Sequence, residues 1–594
     1  MRPGRGFAYG RATADNAACG QPPVAAMARK IALGPGGSFE FTMVIGKLPD
    51  SSDGCLPPSR RLVELGKYLV ASRRAKALAQ LRERYRRLFE RRRIDTPDAG
   101  LSRYANEFLP LQAYWVSMLD RGWPGGFRGT RDAAQDTTSM IGIDPGLARE
   151  RLIELFSQQR SDGWFPRAYY PGDKTGKAFT ATHVDAGVWV WELLREYLCL
   201  TRDFDVLKVK TPWMDRQGAA SILDRSLGLL DYYLAKENLG PHGLCKIRGG
   251  DWNDAVNLAG LEGKGESVMV SCQLVLALEQ AADLLRSLAK GRGGALLRRA
   301  GRLAVRAGTM RDCLLGHARN RAGYFNGVFS DGGYWVFSPR DPDGRRRISV
   351  PANAFAVIAG IVQGAGREEV FDALNELKGP HGWRLFYPAV GDRPIAKLGR
   401  IGQGDLAAGV GENGTIYNHG SHGFLGRAAA AAGKGDLLYD VMRHMLPYDQ
   451  QAHDVAVTRT APYGVVNHWK SAIGLEGVGG DVFLSGSIAT ALRNLYEGMA
   501  GCRSDVSHLV IDPCLPSHWA GIEAEVDFLG GRCRLRVANP AGVSCGVAAL
   551  LLDGVAVPDR LDCRRTGRSL AAIPLAMIRP GRDHLIEVTM GGPA

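Results

Sequence analysis

The sequence predicts a mainly α protein built on an (α/α)6 toroid, with a helical linker before it and a small β-sandwich after it. Three observations predict this. Apolar helical stretches recur between about Leu101 and Gly501, separated by Gly-rich and aromatic-rich connections. Strand-like runs in that span are few, which argues against a parallel-sheet fold. Beyond Asp505 the long amphipathic patterns give way to short apolar runs punctuated by Gly, Pro and Asp.

In chain order, residues 1–56 read as loop and a single strand, Ser38 to Gly46, which alternates and stops at a glycine. An isolated strand is not stable, so this segment reads as the last edge of a β domain whose earlier strands lie elsewhere. Residues 57–97 read as a charged linker helix to about Arg93, with Leu62, Leu65, Tyr68 and Leu69 at helical spacing; Ile94-Asp95-Thr96-Pro97 breaks it. Residues 98–504 form the helical domain. Its clearest helices are Ala148 to Gln158, Val188 to Leu200, Ala219 to Ala235, Val268 to Leu288, Leu297 to Leu315, Ala354 to Val362, Phe424 to Ala431 and Ser487 to Met499. About a dozen such helices close a toroid whose connections at one rim carry the site. Residues 505–594 form the β-sandwich, with Cys533 to Val537 and Val547 to Leu552 as strands.

Composition narrows the function. A chain of 594 residues with 45% hydrophobic and 23% charged residues has an ordinary globular balance and length enough for a large core. The net charge of +14 arises largely from Arg-rich helical stretches, Arg60 to Arg93 and Arg292 to Arg306. No aromatic interleaving or known module accompanies them, so no nucleic-acid partner is expected. The 11 cysteines include no Cys-x-x-Cys pair, which argues against a disulfide framework or zinc ribbon and for a reducing cytoplasm. No run of eighteen apolar residues occurs, so neither membrane insertion nor export is expected.

Four connections carry the candidate chemistry. Gly249-Gly250-Asp251-Trp252-Asn253-Asp254 places two carboxylates, an amide and an indole together. A sugar site needs that mixture, an aromatic plate for the ring face and carboxylates to take hydroxyls or deliver a proton. The competing reading is an Asx turn or helix cap beside a buried Trp. Arg121-Gly122-Trp123 and Phe127 to Asp136 offer arginine forks to an anion, with Gln135 and Asp136 for hydroxyls; a surface Arg–Asp pair is the plainer alternative. Glu412 to Gly420 brings an acid, amides and His419 before a helix, although a lone histidine is more often packed than catalytic. Ser485-Gly486-Ser487 precedes the last helix, where backbone NH groups and hydroxyls suit an anion.

In order, these segments resemble glycoside hydrolase family 94, the cellobiose and chitobiose phosphorylases, from about Gly36 to about Val588. The most specific element is Gly250-Asp251-Trp252-Asn253-Asp254 followed by Gly263-Lys264-Gly265-Glu266-Ser267-Val268. Its Lys-Gly-Glu-Ser-Val part looks most like cellodextrin and cellobionate phosphorylases and the phosphorylase-like part of cyclic β-1,2-glucan synthases. The resemblance implies inverting phosphorolysis of a β-linked gluco-oligosaccharide to an α-sugar 1-phosphate, with inorganic phosphate as co-substrate and neither cofactor nor metal. It implies Asp254 as general acid, with Arg121, Asp136, Trp252, Asp251 and Glu412 around the sugar and Arg131, His419, Ser485 and Gly486 at phosphate. It also implies a homodimer made through a large N-terminal β domain, of which only the final strand is expected here.

An inverting hydrolase needs an acid and a base, whereas phosphate is already a nucleophile and requires only the acid plus cations to hold it. Asp254 is therefore expected to have a raised pKa from burial beside Trp252 and Asp251. The chain departs from the family pattern at Thr182-His183-Val184-Asp185, where relatives carry Ser-Asp-Asp, at Ala461-Pro462-Tyr463 in place of Glu-Pro-Tyr, and at Ser485 in place of Thr. An inverting hydrolase with Glu412 as base, or an inactive carbohydrate-binding remnant, are the competing readings.

Overall fold

The computed structural model describes residues 30–44, 63, 65–119, 121, 126–171, 178–179, 181–289, 294–391, 395, 398–399, 406–449, 451–482 and 485–592. The chain divides into two units, Met1–Arg86 and Arg87–Ala594. In the first, residues 38–44 form no strand, contrary to the alternation in the sequence; the end of that expected strand, at 45 and 46, lies outside the described residues, as do 57–62 of the expected linker helix. Helix α1 (Ala71–Phe89) is the linker helix itself, ending earlier than the charge pattern suggests. Residues beyond it form strand β1 (Arg92–Asp95), which pairs antiparallel with Glu523 to Val526. The buried Ile94 explains this: its side chain has a core to enter only as part of that sheet.

The second unit is mainly helical up to Met499. Among the described residues its α-helices of seven or more residues are α2 (Leu109–Met118), α3 (Thr130–Met140), α4 (Pro145–Ser157), α5 (Ala186–Thr201), α6 (Ile222–Leu234), α7 (Val268–Leu288), α8 (Gly294–Cys313), α9 (Val350–Ile358), α10 (Gly364–Asn375), α11 (Phe424–Ala432), α12 (Gly435–Met445) and α13 (Ser487–Arg493). Six pack in a closed series: α3 on α5, α5 on α7, α7 on α9, α9 on α11, α11 on α13, and α13 back on α3. The other six lie against them, α4 on α3 and α5, α6 and α8 on α7, α10 on α9, α12 on α11, and α2 on α3 and α13.

Sequence separates the two sets. All nine residues of α9 are buried, and α7 is long and apolar enough to cross a membrane by length and composition, yet 83% of its apolar window is buried inside the fold. A helix that is apolar all round belongs in a core. In α8, by contrast, Ala300, Leu303, Ala307 and Met310 form one buried stripe at helical spacing, while Arg298 and Arg302 are exposed on another face.

Three details differ from the sequence reading. Ala219–Ser221 is a short strand, and α6 starts at Ile222 where the Ser221 hydroxyl caps it. Asn494–Met499 is a π-helical continuation of α13. Helices α2, α10 and α12 are not among the helices the sequence reading named; α10 has a weak apolar pattern, whereas α12 keeps Leu438, Val441, Met442 and Met445 on one buried side.

After the helices come β2 (Cys502–Ser504), β3 (His508–Ile511), β4 (Gly521–Phe528), β5 (Gly531–Ala538), β6 (Val547–Leu552), β7 (Val555–Ala556), β8 (Arg560–Cys563), β9 (Arg568–Pro574) and β10 (His584–Met590). One sheet has the order β1-β4-β5-β10-β6-β7, with β5 and β10 parallel, and the other β2-β3-β9-β8. β4 and β5 alternate buried and open residues, so each presents one apolar face.

Candidate functional site

The site lies at the N-terminal ends of the ring helices. Gly249 to Asp254 reaches it through two successive Asx turns: Asp251 Oδ1 accepts from Asn253 N at 2.9 Å, and Asn253 Oδ1 from Ala255 N at 3.1 Å. The turn and the chemistry are thus compatible, since the turns deliver Asp254 to the cavity. Gly250, at φ +132°, has no alternative: a Cβ there would stand 2.8 Å from His183 Nε2.

Asp254 borders a cavity of about 160 Å³ lined by Phe127, Arg131, Asp132, Arg167, His183 and Asp185. Its Oδ1 lies 3.3 Å from Arg131 Nη2 and 3.4 Å from His183 Nε2, and its Oδ2 accepts from Arg167 Nη2 at 2.7 Å. Burial pushes the carboxyl up, but Arg131, the hydrogen bond with His183 and Arg167 together hold it well below the usual carboxylate range. The expected raised pKa is therefore corrected, because three basic groups converge on this carboxylate.

Arg131 is fixed at the start of α3. Its Nη1 donates to Asp185 Oδ2 at 3.2 Å and to the carbonyls of Asp251 and Trp252, each at 3.1 Å. Arg121 grips Asp136 with two bonds, 2.8 and 2.9 Å, and donates to Asp132 Oδ1 at 2.8 Å. Asp132 Oδ1 is also 3.6 Å from Arg131 Nε, so one carboxylate links the two arginines. Both amide atoms of Gln135 are buried without a partner among the described residues, as is His419 Nε2.

His419 opens the π-helical turn His419–Gly423 that leads into α11. Burial, followed by the nearby Arg121, Arg131 and Arg427, holds its pKa well below the ordinary value, so it is neutral at physiological pH. A Cβ on Gly486 would come within 2.6 Å of both Arg121 Nη2 and His419 Nδ1, which places the Ser485-Gly486-Ser487 turn beside them. The Ser485 hydroxyl donates to Asn467 Oδ1 at 2.9 Å and lies 2.5 Å from that of Ser487. Trp252 stands edge-on to Tyr417 and His419, with ring centroids 5.4 Å away in each case.

The structure thus gathers Arg121, Arg131, Asp136, Trp252, Asp254, His419, Ser485 and Gly486 into one connected region. Glu412 is half-buried on the turn before Ile416–Tyr417, close enough to push the Tyr417 hydroxyl upward in pKa after burial has done so. Asp251 is put to another use: its carboxylate faces inward, accepting from Ser267 Oγ at 2.6 Å, and burial pushes it up to about 6. Gly122 and Trp123 lie outside the described residues.

Sequence reading missed Arg167 and Asn467 and noted His183 only as a departure. Arg167 sits in Phe165-Pro166-Arg167, another connection between helices, and the positional criterion applied to the four segments also selects it.

The family model described as "Glycosyl hydrolase 94 superfamily, catalytic domain" matches residues 85–501. The chain is 27% identical over 503 residues to the solabiose phosphorylase of Paenibacillus borealis, covering 84% of this chain and 60% of that protein. It is 26% identical over 586 residues to the N,N'-diacetylchitobiose phosphorylase of Vibrio furnissii, covering 91% and 68% respectively. Similarity extends to the cyclic β-(1,2)-glucan synthase NdvB of Rhizobium meliloti, 27% identical over 477 residues, covering 75% of this chain and 16% of that protein.

Proposed function

Because this chain belongs to the glycosyl hydrolase 94 superfamily, we propose that it cleaves a β-linked gluco-oligosaccharide with inorganic phosphate, releasing an α-sugar 1-phosphate by inversion. The observation that carries this reading is the concentration of basic groups around a single carboxylate: Arg131, Arg167 and His183 at Asp254, with Arg121, His419 and the Gly486 backbone adjoining. Such a site suits an anionic nucleophile, which needs to be held in line and not deprotonated by a base.

In this reading Asp254 gives a proton to the glycosidic oxygen while phosphate attacks the anomeric carbon from the opposite face. Trp252 supports the sugar pocket, Asp136 is oriented by Arg121, and Gln135 offers to hydroxyls an amide that has no partner among the described residues. The closed series of six helices, with six more packed against them, supports an (α/α)6 toroid over residues 98–504, and the two sheets that follow support a β-sandwich over 505–594.

The test is release of sugar 1-phosphate from β-1,2, β-1,3 and β-1,4 glucosides, each with and without phosphate. Product that forms only with phosphate is expected. Reducing sugar formed without it points to hydrolysis, with Glu412 the carboxylate to test as base. Oligosaccharide binding without turnover in either condition points to a binding remnant.

A further inference from the structure

In the reading above Asp254 delivers a proton, yet it is held ionised. Burial pushes its carboxyl up, but Arg131, His183 and Arg167 hold it well below the usual carboxylate range. Of these three groups, a guanidinium keeps its protons, whereas an imidazole takes and releases one near neutral pH. Among the described residues, His183 is thus the one contact of Asp254 from which a proton can come.

Backbone pairing fixes these two side chains on each other. His183 bridges Arg248 in antiparallel fashion, Gly249 N donates to the Thr182 carbonyl at 3.1 Å, and Val184 N donates to that of Gly250 at 2.9 Å. The histidine therefore runs alongside the connection that ends at Asp254. Its side chain is 4% exposed, lines the same cavity and sets Nε2 3.4 Å from Asp254 Oδ1. Proton transfer reaches about 2.6–3.2 Å, and catalytic contacts of this kind tighten as substrate seats. Neither ring nitrogen has a hydrogen-bond partner among the described residues.

Resting on the phosphorylase reading above, we infer that His183 stores the proton that Asp254 delivers, handing it from Nε2 to Oδ1 as the glycosidic oxygen leaves. His183 acts through the carboxylate and is a positioning residue for its proton. The other charged and titratable groups around the pair are engaged elsewhere. Arg131 and Asp132 of α3 are tied to each other and to Asp185 or Arg121. Asp185, ahead of α5, also accepts from Trp189 Nε1 at 3.1 Å. Arg248 donates to Asn238 and to the Glu237 carbonyl, Tyr233 of α6 donates to the Val184 carbonyl, and Asp251 accepts from Ser267. Burial pushes the Tyr417 hydroxyl far above its ordinary value, so it keeps its proton.

The step balances. The Nε2–H bond of the imidazolium breaks as the Oδ1–H bond forms, and that proton then joins the leaving oxygen while phosphate bonds the anomeric carbon. Hydrogen phosphate loses one proton on becoming the sugar phosphate, and a solvent-borne proton restores the imidazolium. Nothing is oxidised or reduced.

His183→Gln in the full chain tests this, because a glutamine amide can bond Asp254 but cannot give up a proton. Phosphate-dependent turnover of a β-glucoside is followed against pH; the ionisation of phosphate itself is common to both proteins. The alkaline limb of kcat is expected to move at least about one unit towards acid, and kcat at neutral pH to fall about 10²-fold, since the proton must then reside on Asp254 between two arginines. With β-glucosyl fluoride, whose leaving group needs little help from an acid, kcat is expected to stay within about twofold of wild type. A limb that moves towards alkali shows His183 to be only a charge that depresses Asp254, a limb that stays shows a spacer, and equal loss on the fluoride shows a structural role. Each overturns the inference and leaves the phosphorylase reading standing. A second measurement leaves position 183 unaltered: in NMR of isotope-labelled histidine rings, Asp254→Asn is expected to make one imidazole lose its proton at least about one pH unit lower than in wild type. No such change also overturns the inference. Absence of phosphate-dependent turnover in wild type overturns both.

Discussion

The two ends of the helix ring are built from the same residue types and are held in opposite states. At the end remote from Asp254, around a cavity of about 600 Å³, the charges are matched: Glu192 lies between Arg427 and Arg493, and Arg493 also reaches Glu497 at 2.8 Å. Glu279 accepts from Arg311 and Arg564, and Asp512 from Arg503 and Arg568. Five of the ring helices direct their C-terminal halves at this end, where the helix dipole favours cations, so the arginines have a structural reason to be there. At the Asp254 end, where N-termini converge, both amide atoms of Gln135 and ring nitrogens of His183 and His419 lack hydrogen-bond partners among the described residues, whereas the unpartnered atoms at the remote end, Nε of Arg311 and Arg568 and Oδ1 of Asn494, belong to groups whose other atoms are paired. Buried polar groups are normally satisfied. An arginine–carboxylate network that closes on itself is architecture, and one that leaves donors and acceptors open is prepared for a ligand. Cavity size alone points the wrong way here.

Substitutions can break this contrast. Asp254→Asn is expected to lower kcat for sugar 1-phosphate release about 10³-fold while the thermal midpoint stays within a few degrees. Glu192→Ala is expected to do the reverse: about 3–5 kcal/mol of stability lost in denaturant titration, since two buried arginines lose their partner, with kcat of the folded fraction unchanged.

The same carboxylate predicts an acid limb of stability. After the opposing effect of burial, Arg427 and Arg493 lower the Glu192 pKa from 4.5 to about 2. A depressed folded pKa gives stability present above 4.5 and lost as pH falls towards about 2. Thermal melts of Glu192→Gln across that window should be flatter than those of wild type.

At the other end, His419→Ala removes a neutral donor–acceptor beside Gly486 and is expected to raise the phosphate KM about tenfold without moving the pH optimum. The smallest effect belongs to Asp251→Asn. A carboxyl raised to about 6 contributes stability at low pH that is lost as pH rises through that value, so the amide is expected to gain on the order of 1 kcal/mol above it. Melting at two pH values on either side measures the gain.

The helices legible in the sequence are apolar on every side, as in the ring helix α7, or have a continuous apolar stripe, as in the outer helix α8, whereas the ring helix α3, rich in Thr, Asp and Gln, is legible only as the helix that Phe127 to Asp136 enters. β1 was not legible, because four residues ending a charged helix carry no periodic signal and their pairing partner is distant in sequence. In the site, local motifs revealed residues on Gly-rich connections, including Asp254, Arg131 and His419. What they concealed was function within the motif. The most diagnostic stretch, Gly263 to Val268, supports the site without lining it: Ser267 caps α7 and holds Asp251, Glu266 accepts from the backbone of His242 and Leu244, and the Lys264 and Gly265 amides bond Asp331. Arg167 had no motif around it, and its partner is apparent only in three dimensions.

The pairing of β1 with β4 also bears on how the molecule is made. The strand that leads into the helices is completed only by residues translated after all of them, so during synthesis the start of the ring remains untethered until the C-terminal sheet emerges. Truncation before Gly521 would remove no residue that borders Asp254, yet it would leave Ile94 without the core it enters and the nascent ring without its clasp.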